Sequence, residues 1–286
     1  MENLQTFAAN GVELHYSQSG SGKPLLFIPG SISDYRTWEG IRAHFEKTHR
    51  CFVLSRRFQF PGHYVAKGDS SVDANTEDIA AFIRGMNLAP VTLVGHSFGA
   101  FVALNLAIRY PELVEKVVAE EPIFAPALAS NPKNPLQLLS LLFRNFKAGK
   151  SFARLGMKGV EPTFKALAAG DTTTAQKTFI DGVTDGKKTP ETLDELTRRQ
   201  LEDNIAALAG EDPFINKIKL SDAKKIACKV LLLSGTESPY AFRFINEQLE
   251  KNIPKAQHHV FQGASHWIHI DQAGKFSEMA GDFIKN

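Results

Sequence analysis

Residues 95–99 read Gly95-His96-Ser97-Phe98-Gly99. A serine in the pattern G-x-S-x-G carries chemical meaning when an apolar strand leads into it and a helix leaves it. Both flanks are present, Val91-Thr92-Leu93-Val94 before and Ala100-Phe101-Val102-Ala103-Leu104-Asn105-Leu106-Ala107 after. A sharp reversal from strand to helix crowds the turn, so side chains at 95 and 99 would strike neighbouring backbone and the residue between them is held at strained dihedrals. Ser97 Oγ then stands at a helix N-terminus, where unpaired N–H groups and the positive dipole end favour an oxyanion. The pentapeptide therefore predicts a nucleophilic serine. A glycine-rich turn without chemistry is the alternative, and the flanks argue against it.

Serine is a weak nucleophile at neutral pH and needs a base, itself oriented by a third group. Of the nine histidines, His266 lies in Gly263-Ala264-Ser265-His266, a small-residue loop directly after the last predicted strand. That places it beside the strand ends where Ser97 sits. His269 fits the start or packing of the final helix, and His258 and His259 flank the strand. His266 and His269 lack companions for a metal site, so neither a metal nor a cofactor is expected.

The elements that must position these groups alternate. Thr6 to Gln18 reads as a hairpin around Asn10-Gly11. Gly20-Ser21-Gly22-Lys23 is a linker and not a phosphate loop, because Ser17 and Pro24 occupy positions where that motif needs Gly and Ser/Thr. From Leu25, apolar runs alternate with amphipathic stretches: Leu25–Ile28 then Tyr35–Phe45, Cys51–Leu54 then Thr76–Met86, Val91–Val94 then Phe98–Arg109, and Val114–Ala119. The rhythm breaks at Glu121-Pro122 and resumes at Lys229–Leu233, followed by Phe242–Leu249, His259–Phe261 and a helix from Asp271 to Ile284. This predicts an α/β fold with a mostly parallel sheet covered by helices. The division is 1–122 for the first part of the core, 123–218 for an all-helical lid and 219–286 for the second part. Within the lid, Asp171 can cap a helix carrying Phe179, and Thr189-Pro190-Glu191 can start one ending near Gly210. Leu136, Leu139, Leu142, Phe143 and Phe146 fall at helical spacing and, with Met157, are expected to pack against the core.

Composition is ordinary, with 43% hydrophobic residues and a net charge of +2. No basic stripe suggests nucleic acid as a partner. No apolar run is long enough for a membrane span and the N-terminus does not read as a signal peptide, so a cytoplasmic protein without a membrane partner is expected. Cys51 and Cys228 each precede an apolar run and read as buried free thiols in a reducing compartment. Oligomeric state is not legible.

Over nearly its whole length the chain resembles the α/β-hydrolase superfamily. The resemblance rests on Gly95–Gly99, the Pro29-Gly30-Ser31 turn after the first parallel strand, Asp34–Trp38, Tyr110-Pro111 and Gly263–His266. It implies the chain order Ser, acid, His and an oxyanion hole of two backbone N–H groups, here those of Phe98 and Ser31. Pro29 stands where the family usually has His; the donor is two residues later, so the hole should survive. The usual acid position, three residues after Gly235, is Ser238, which cannot be anionic. Haloalkane dehalogenases, coelenterazine luciferases and zearalenone-type lactonases instead carry a glutamate after the strand that follows the elbow helix. On this sequence that residue is Glu121, with Glu237 as the alternative acid and Glu120 expected to face the other way.

Where the family carries Asp-x-Arg-Gly-x-Gly, this chain has Ser55-Arg56-Arg57-Phe58-Gln59-Phe60-Pro61-Gly62. Arg56 or Arg57 can hold that loop through backbone carbonyls or a carboxylate. Phe58, Phe60, Phe124, Phe143 and Trp267 are the candidates for an apolar substrate pocket. The resemblance implies a serine hydrolase, a carboxylesterase or lactonase, whose partner is a small apolar ester or lactone. Serine in the elbow argues against dehalogenase and epoxide hydrolase chemistry, which needs aspartate there. A cofactor-free oxygenase or luciferase-like enzyme, and a ligand receptor with little turnover, are the alternatives, because fold alone does not fix chemistry.

Overall fold

The computed structural model describes residues 4–63, 68–129, 134–211 and 217–286. Strand β1 (Gln5–Ala9) turns through Asn10 and Gly11, at φ 46° and 81°, into antiparallel β2 (Val12–Ser19). Then come β3 (Lys23–Ile28), a 3-10 turn (Tyr35–Trp38) capped by Asp34, α1 (Glu39–Phe45), β4 (His49–Leu54), α2 (Val72–Gly85), β5 (Val91–His96), α3 (Ser97–Arg109) and β6 (Val114–Glu120). A helical segment, here termed the cap, follows with α4 (Pro135–Arg144), α5 (Phe146–Arg154), a π-helical turn (Leu155–Val160), α6 (Glu161–Ala168), α7 (Thr172–Thr184) and α8 (Glu195–Asn204). The core resumes with β7 (Lys229–Gly235), α9 (Tyr240–Asn252), β8 (Ala256–Phe261), α10 (Ile268–Asp271) and α11 (Ala273–Lys285).

The eight strands form one sheet in the order β1-β2-β4-β3-β5-β6-β7-β8, parallel from β4 to β8. Chain progression reverses direction at β3, which pairs with β4 on one side and β5 on the other. In such sheets the crevice outside the carboxyl ends at the reversal is the ligand site. Ser97 and the Pro29-Gly30-Ser31 turn both leave the sheet there.

Successive side chains of a strand point to opposite faces, and strands covered on both faces are apolar throughout. Leu26, Ile28 and Leu93 pack with Phe82, Phe101 and Leu104 on one face. Leu25, Phe27 and Val94 pack with Trp38, Phe45 and Phe276 on the other. A third cluster joins the cap to the rim of the sheet: Ile180, Val183, Leu201, Ile205 and Leu208 meet Ile32 and Trp267. Burying a side chain such as Phe101 contributes roughly 2 kcal/mol.

Between β6 and β7 no strand is present among the described residues. Asp171 caps α7 by accepting the Thr174 N–H at 2.9 Å. Two helix starts differ from the sequence reading. Helix α2 begins at Val72, because Ser71 accepts the Ala74 N–H, not at Thr76. Thr189-Pro190-Glu191 opens only a 3-10 turn, and α8 begins after Asp194, whose carboxylate accepts the Thr197 N–H. Of the side chains expected to pack against the core, only Leu142 is partly buried; Leu136, Leu139, Phe143, Phe146 and Met157 are exposed, and Leu138 and Leu141 are the α4 residues that meet the core. Helical spacing cannot say which side of an apolar helix faces inward. No helix among the described residues is long and apolar enough to cross a membrane.

Candidate active site

Ser97 sits at φ 52°, a left-handed conformation that a non-glycine residue seldom adopts. The turn is as tight as the motif demands. A Cβ at position 99 would lie 2.3 Å from the Ile28 carbonyl oxygen, and one at 95 would lie 2.7 Å from Ala100 Cα. Ser97 begins α3, so the Phe98 N–H belongs to the first turn, where amides have no intrahelical acceptor. The Pro29-Gly30-Ser31 turn lies directly against it, since a Cβ on Gly30 would be 3.3 Å from Ser97 Cβ.

His266 and Glu121 are in contact, Nδ1 to Oε2 at 2.8 Å, and both are buried. Glu121 is the residue after β6, at φ 44°, and this kink turns its carboxylate toward the next strand. Its backbone N–H donates to the Leu233 carbonyl and its Oε1 accepts the Gly235 N–H at 2.8 Å. The Ser238 hydroxyl also favours the charged form, although it makes no hydrogen bond of ordinary geometry. Burial nonetheless pushes the Glu121 carboxyl well up. Burial likewise pulls the His266 imidazole down to about 4, which keeps it neutral near pH 7 with Nε2 available as a base. Glu237, the other candidate acid, is half exposed and paired with Lys187 at 2.7 Å.

Several contacts hold the His266 loop in place. Ser265 donates its N–H to Asp271 at 2.7 Å, the Glu237 N–H donates to the Ala264 carbonyl, and the Phe242 ring lies 4.4 Å from the imidazole. His96, the residue before the serine, donates from Nε2 to the His266 carbonyl at 2.9 Å. Burial holds His96 well below the ordinary histidine value, so it serves as a neutral strut between the two loops.

The Ser31 turn is fixed from beneath by Arg56. This buried guanidinium donates to the Pro29 carbonyl at 3.0 Å, the Gly30 carbonyl at 2.9 Å and Glu211 Oε1 at 2.6 Å, and lies over the Phe98 ring. Gln59 adds a bond to the Gly30 carbonyl at 2.7 Å. Burial raises the Glu211 carboxyl, against the pull of Arg56 and the Ser31 hydroxyl. Arg57 instead pairs with Asp78 and the Asp69 carbonyl. Both arginines thus hold architecture. Glu211 lies at the end of the cap, far from Arg56 in sequence, and no local signal marked it.

A second buried pair backs the first. Glu120 faces away from Glu121 and accepts from His269 Nδ1 at 2.8 Å and from its backbone N–H at 3.1 Å. His269 Nε2 is 2.9 Å from the Thr37 hydroxyl. This pair pins α10 to the end of β6.

The expected pocket residues do not converge. Trp267 is buried at the seam between core and cap. Phe124 is buried in the core against Phe101, because the chain after Glu121 folds back over α3. Phe58, at φ 64°, lines a separate cavity of about 310 Å³ with Gly11, Val12, His15, Pro61 and His63, and Phe60 lies under Arg36. Phe143 is exposed on α4. Among the described residues no group of three metal-binding side chains occurs.

Comparison with known proteins identifies the fold. A family model for the alpha/beta hydrolase fold matches residues 23–273. Over 110 residues the chain is 34% identical to epoxide hydrolase 1 of Caenorhabditis elegans, a match covering 37% of this chain but only 27% of that protein. It is 23% identical to the sn-1-specific diacylglycerol lipase ABHD11 of Xenopus laevis, over 98% of this chain and 86% of the relative. Among solved structures, carboxylesterase CesB (YbfK) from Bacillus subtilis superimposes with a TM-score of 0.73 at 18% identity, covering 99% of this chain and 92% of that one. The chain belongs to the alpha/beta hydrolase fold family.

Proposed function

We propose that the protein is a serine hydrolase that cleaves a carboxylic ester or lactone of a mainly apolar small molecule through an acyl-enzyme. The observation that carries this reading is the buried 2.8 Å contact of His266 with Glu121 beside a serine held at positive φ. In the first step His266 Nε2 takes the Ser97 proton as Oγ attacks the carbonyl carbon, and Glu121 stabilises the resulting imidazolium. The oxyanion is held by the N–H groups of Phe98 and Ser31. Collapse of the tetrahedral intermediate expels the alcohol, protonated by His266. Water activated by the same imidazole then attacks the acyl carbon and releases the acid and free Ser97. The free thiols of Cys51 and Cys228 support a reducing, cytoplasmic setting.

Turnover of a panel of esters and lactones of graded chain length tests this reading. Hydrolysis of at least one by the purified protein, abolished in Ser97→Ala, is the expected result; hydrolysis that survives in Ser97→Ala contradicts it.

A further inference from the structure

Helix α4 carries more apolar side chains than the core buries. Leu138 and Leu141 turn into the core, whereas Leu136, Leu139 and Phe143, one row at spacings of three and four, point outward. Leu136 is 71% exposed and Phe143 84%, and the chain continues outward with Phe146 at 70% and Met157 at 63%. Scattered apolar residues on a surface need no explanation, but five exposed ones on the consecutive elements of residues 136–157 mark a surface that something covers.

Charge indicates what covers it. Residues 135–165 contain Arg144, Lys147, Lys150, Arg154, Lys158 and Lys165 against a single acid, Glu161, a net +5 in a chain that totals only +2. The rest of the chain is therefore net acidic, and the cationic character is concentrated beside the apolar row. Arg154 is engaged by Asp181 and Asp185, and Lys147 lies over the Tyr240 ring. Arg144, Lys150 and Lys158 are exposed and form no ion pair among the described residues. Apolar side chains flanked by unpaired cations match an interface whose outer layer is anionic and whose inner layer is hydrocarbon. A second copy fits less well, because a two-fold interface on this face would set the same cations against each other.

We infer that the outer face of the cap, formed by α4, α5 and the π-helical turn, docks on an anionic lipid surface. This revises the expectation of no membrane partner, which rested on the lack of a spanning segment; a helix lying in the interface needs none. The inference stands apart from the hydrolase reading.

The test is co-sedimentation of the full chain with vesicles of phosphatidylcholine alone, or with about a third phosphatidylglycerol, at low and high salt. The expected result is binding to the anionic vesicles only. It should weaken about tenfold or more in high salt and again in the double variant Leu136→Asp/Phe146→Asp, whose exposed positions leave folding intact. Absence of binding to anionic vesicles overturns the inference, as does equal binding to both compositions. A dimer in sedimentation equilibrium that this double variant dissociates overturns it too, by assigning the face to a second copy. Hydrolysis of a water-soluble ester should be unchanged in the double variant, so a failure of docking is distinguishable from a failure of the hydrolase reading.

Discussion

Glu121 reaches His266 from the end of β6, and its two oxygens divide the contacts: Oε2 meets Nδ1 at 2.8 Å while Oε1 takes the Gly235 N–H at 2.8 Å. Gly235 ends β7, the strand from whose following loop the family's usual acid would come, and the residue there is Ser238. The amide of β7 thus anchors a carboxylate supplied by its neighbour.

Exchange of the two candidate acids separates their roles. Glu121→Gln should lower kcat on the order of a thousandfold or more, because the imidazolium loses its counter-charge and the tautomer its fixed orientation. Glu237→Gln breaks only an exposed pair with Lys187 and should change kcat less than about twofold. Steady-state kinetics of both variants decide it, and the reverse ranking would contradict the assignment.

The pH profile follows from burial. In the proposed mechanism His266 must be neutral to accept the Ser97 proton, and burial pulls its imidazole down to about 4. Activity is lost as pH falls through that value, so the acid limb of kcat/KM on a non-ionising ester should have its midpoint well below the ordinary histidine value of 6.5. A midpoint at the ordinary value would show that His266 is not shielded as described.

Arg56 links the Ser31 turn to the cap through Glu211. Arg56→Met leaves a buried carboxyl without its cation and the Pro29 carbonyl without its donor, and should cost about 3–5 kcal/mol in chemical unfolding. Arg56→Met/Glu211→Leu removes the stranded carboxyl and should recover part of that stability but not kcat, since the Pro29 carbonyl remains unheld and Gln59 alone holds that of Gly30.

The Glu120–His269 pair should behave differently from its neighbour. Glu120→Ala strands two buried donors on His269 and should destabilise the protein by roughly 3 kcal/mol. The folded fraction should keep kcat within about tenfold, because His266 retains Glu121. A loss as large as that of Glu121→Gln would show that the two pairs act as one unit.

Much of this was legible in the chain because local chemistry dictated it. Gly95 and Gly99 are required by backbone approaches that any strand-turn-helix reversal produces, and Asn10-Gly11 by the hairpin. Substitution of Ser238 for the usual acid directed attention to Glu121. Features fixed by distant packing were not legible. The partnership of Arg56 with Glu211 joins the core to the end of the cap, and the facing of Phe143 and Phe124 depends on how α4 and the segment after Glu121 lie on the core. Spacing gives a helix but not its azimuth, so the exposure of Phe143 on α4 could not be read from it.

The central claim is that Ser97 is a nucleophile activated by His266, and covalent capture tests it most directly. Intact-mass analysis after treatment with a fluorophosphonate should show a single adduct, mapped by peptide sequencing to Ser97 and absent in Ser97→Ala and His266→Ala. A folded protein that remains unlabelled, or carries its adduct on another residue, would contradict the account.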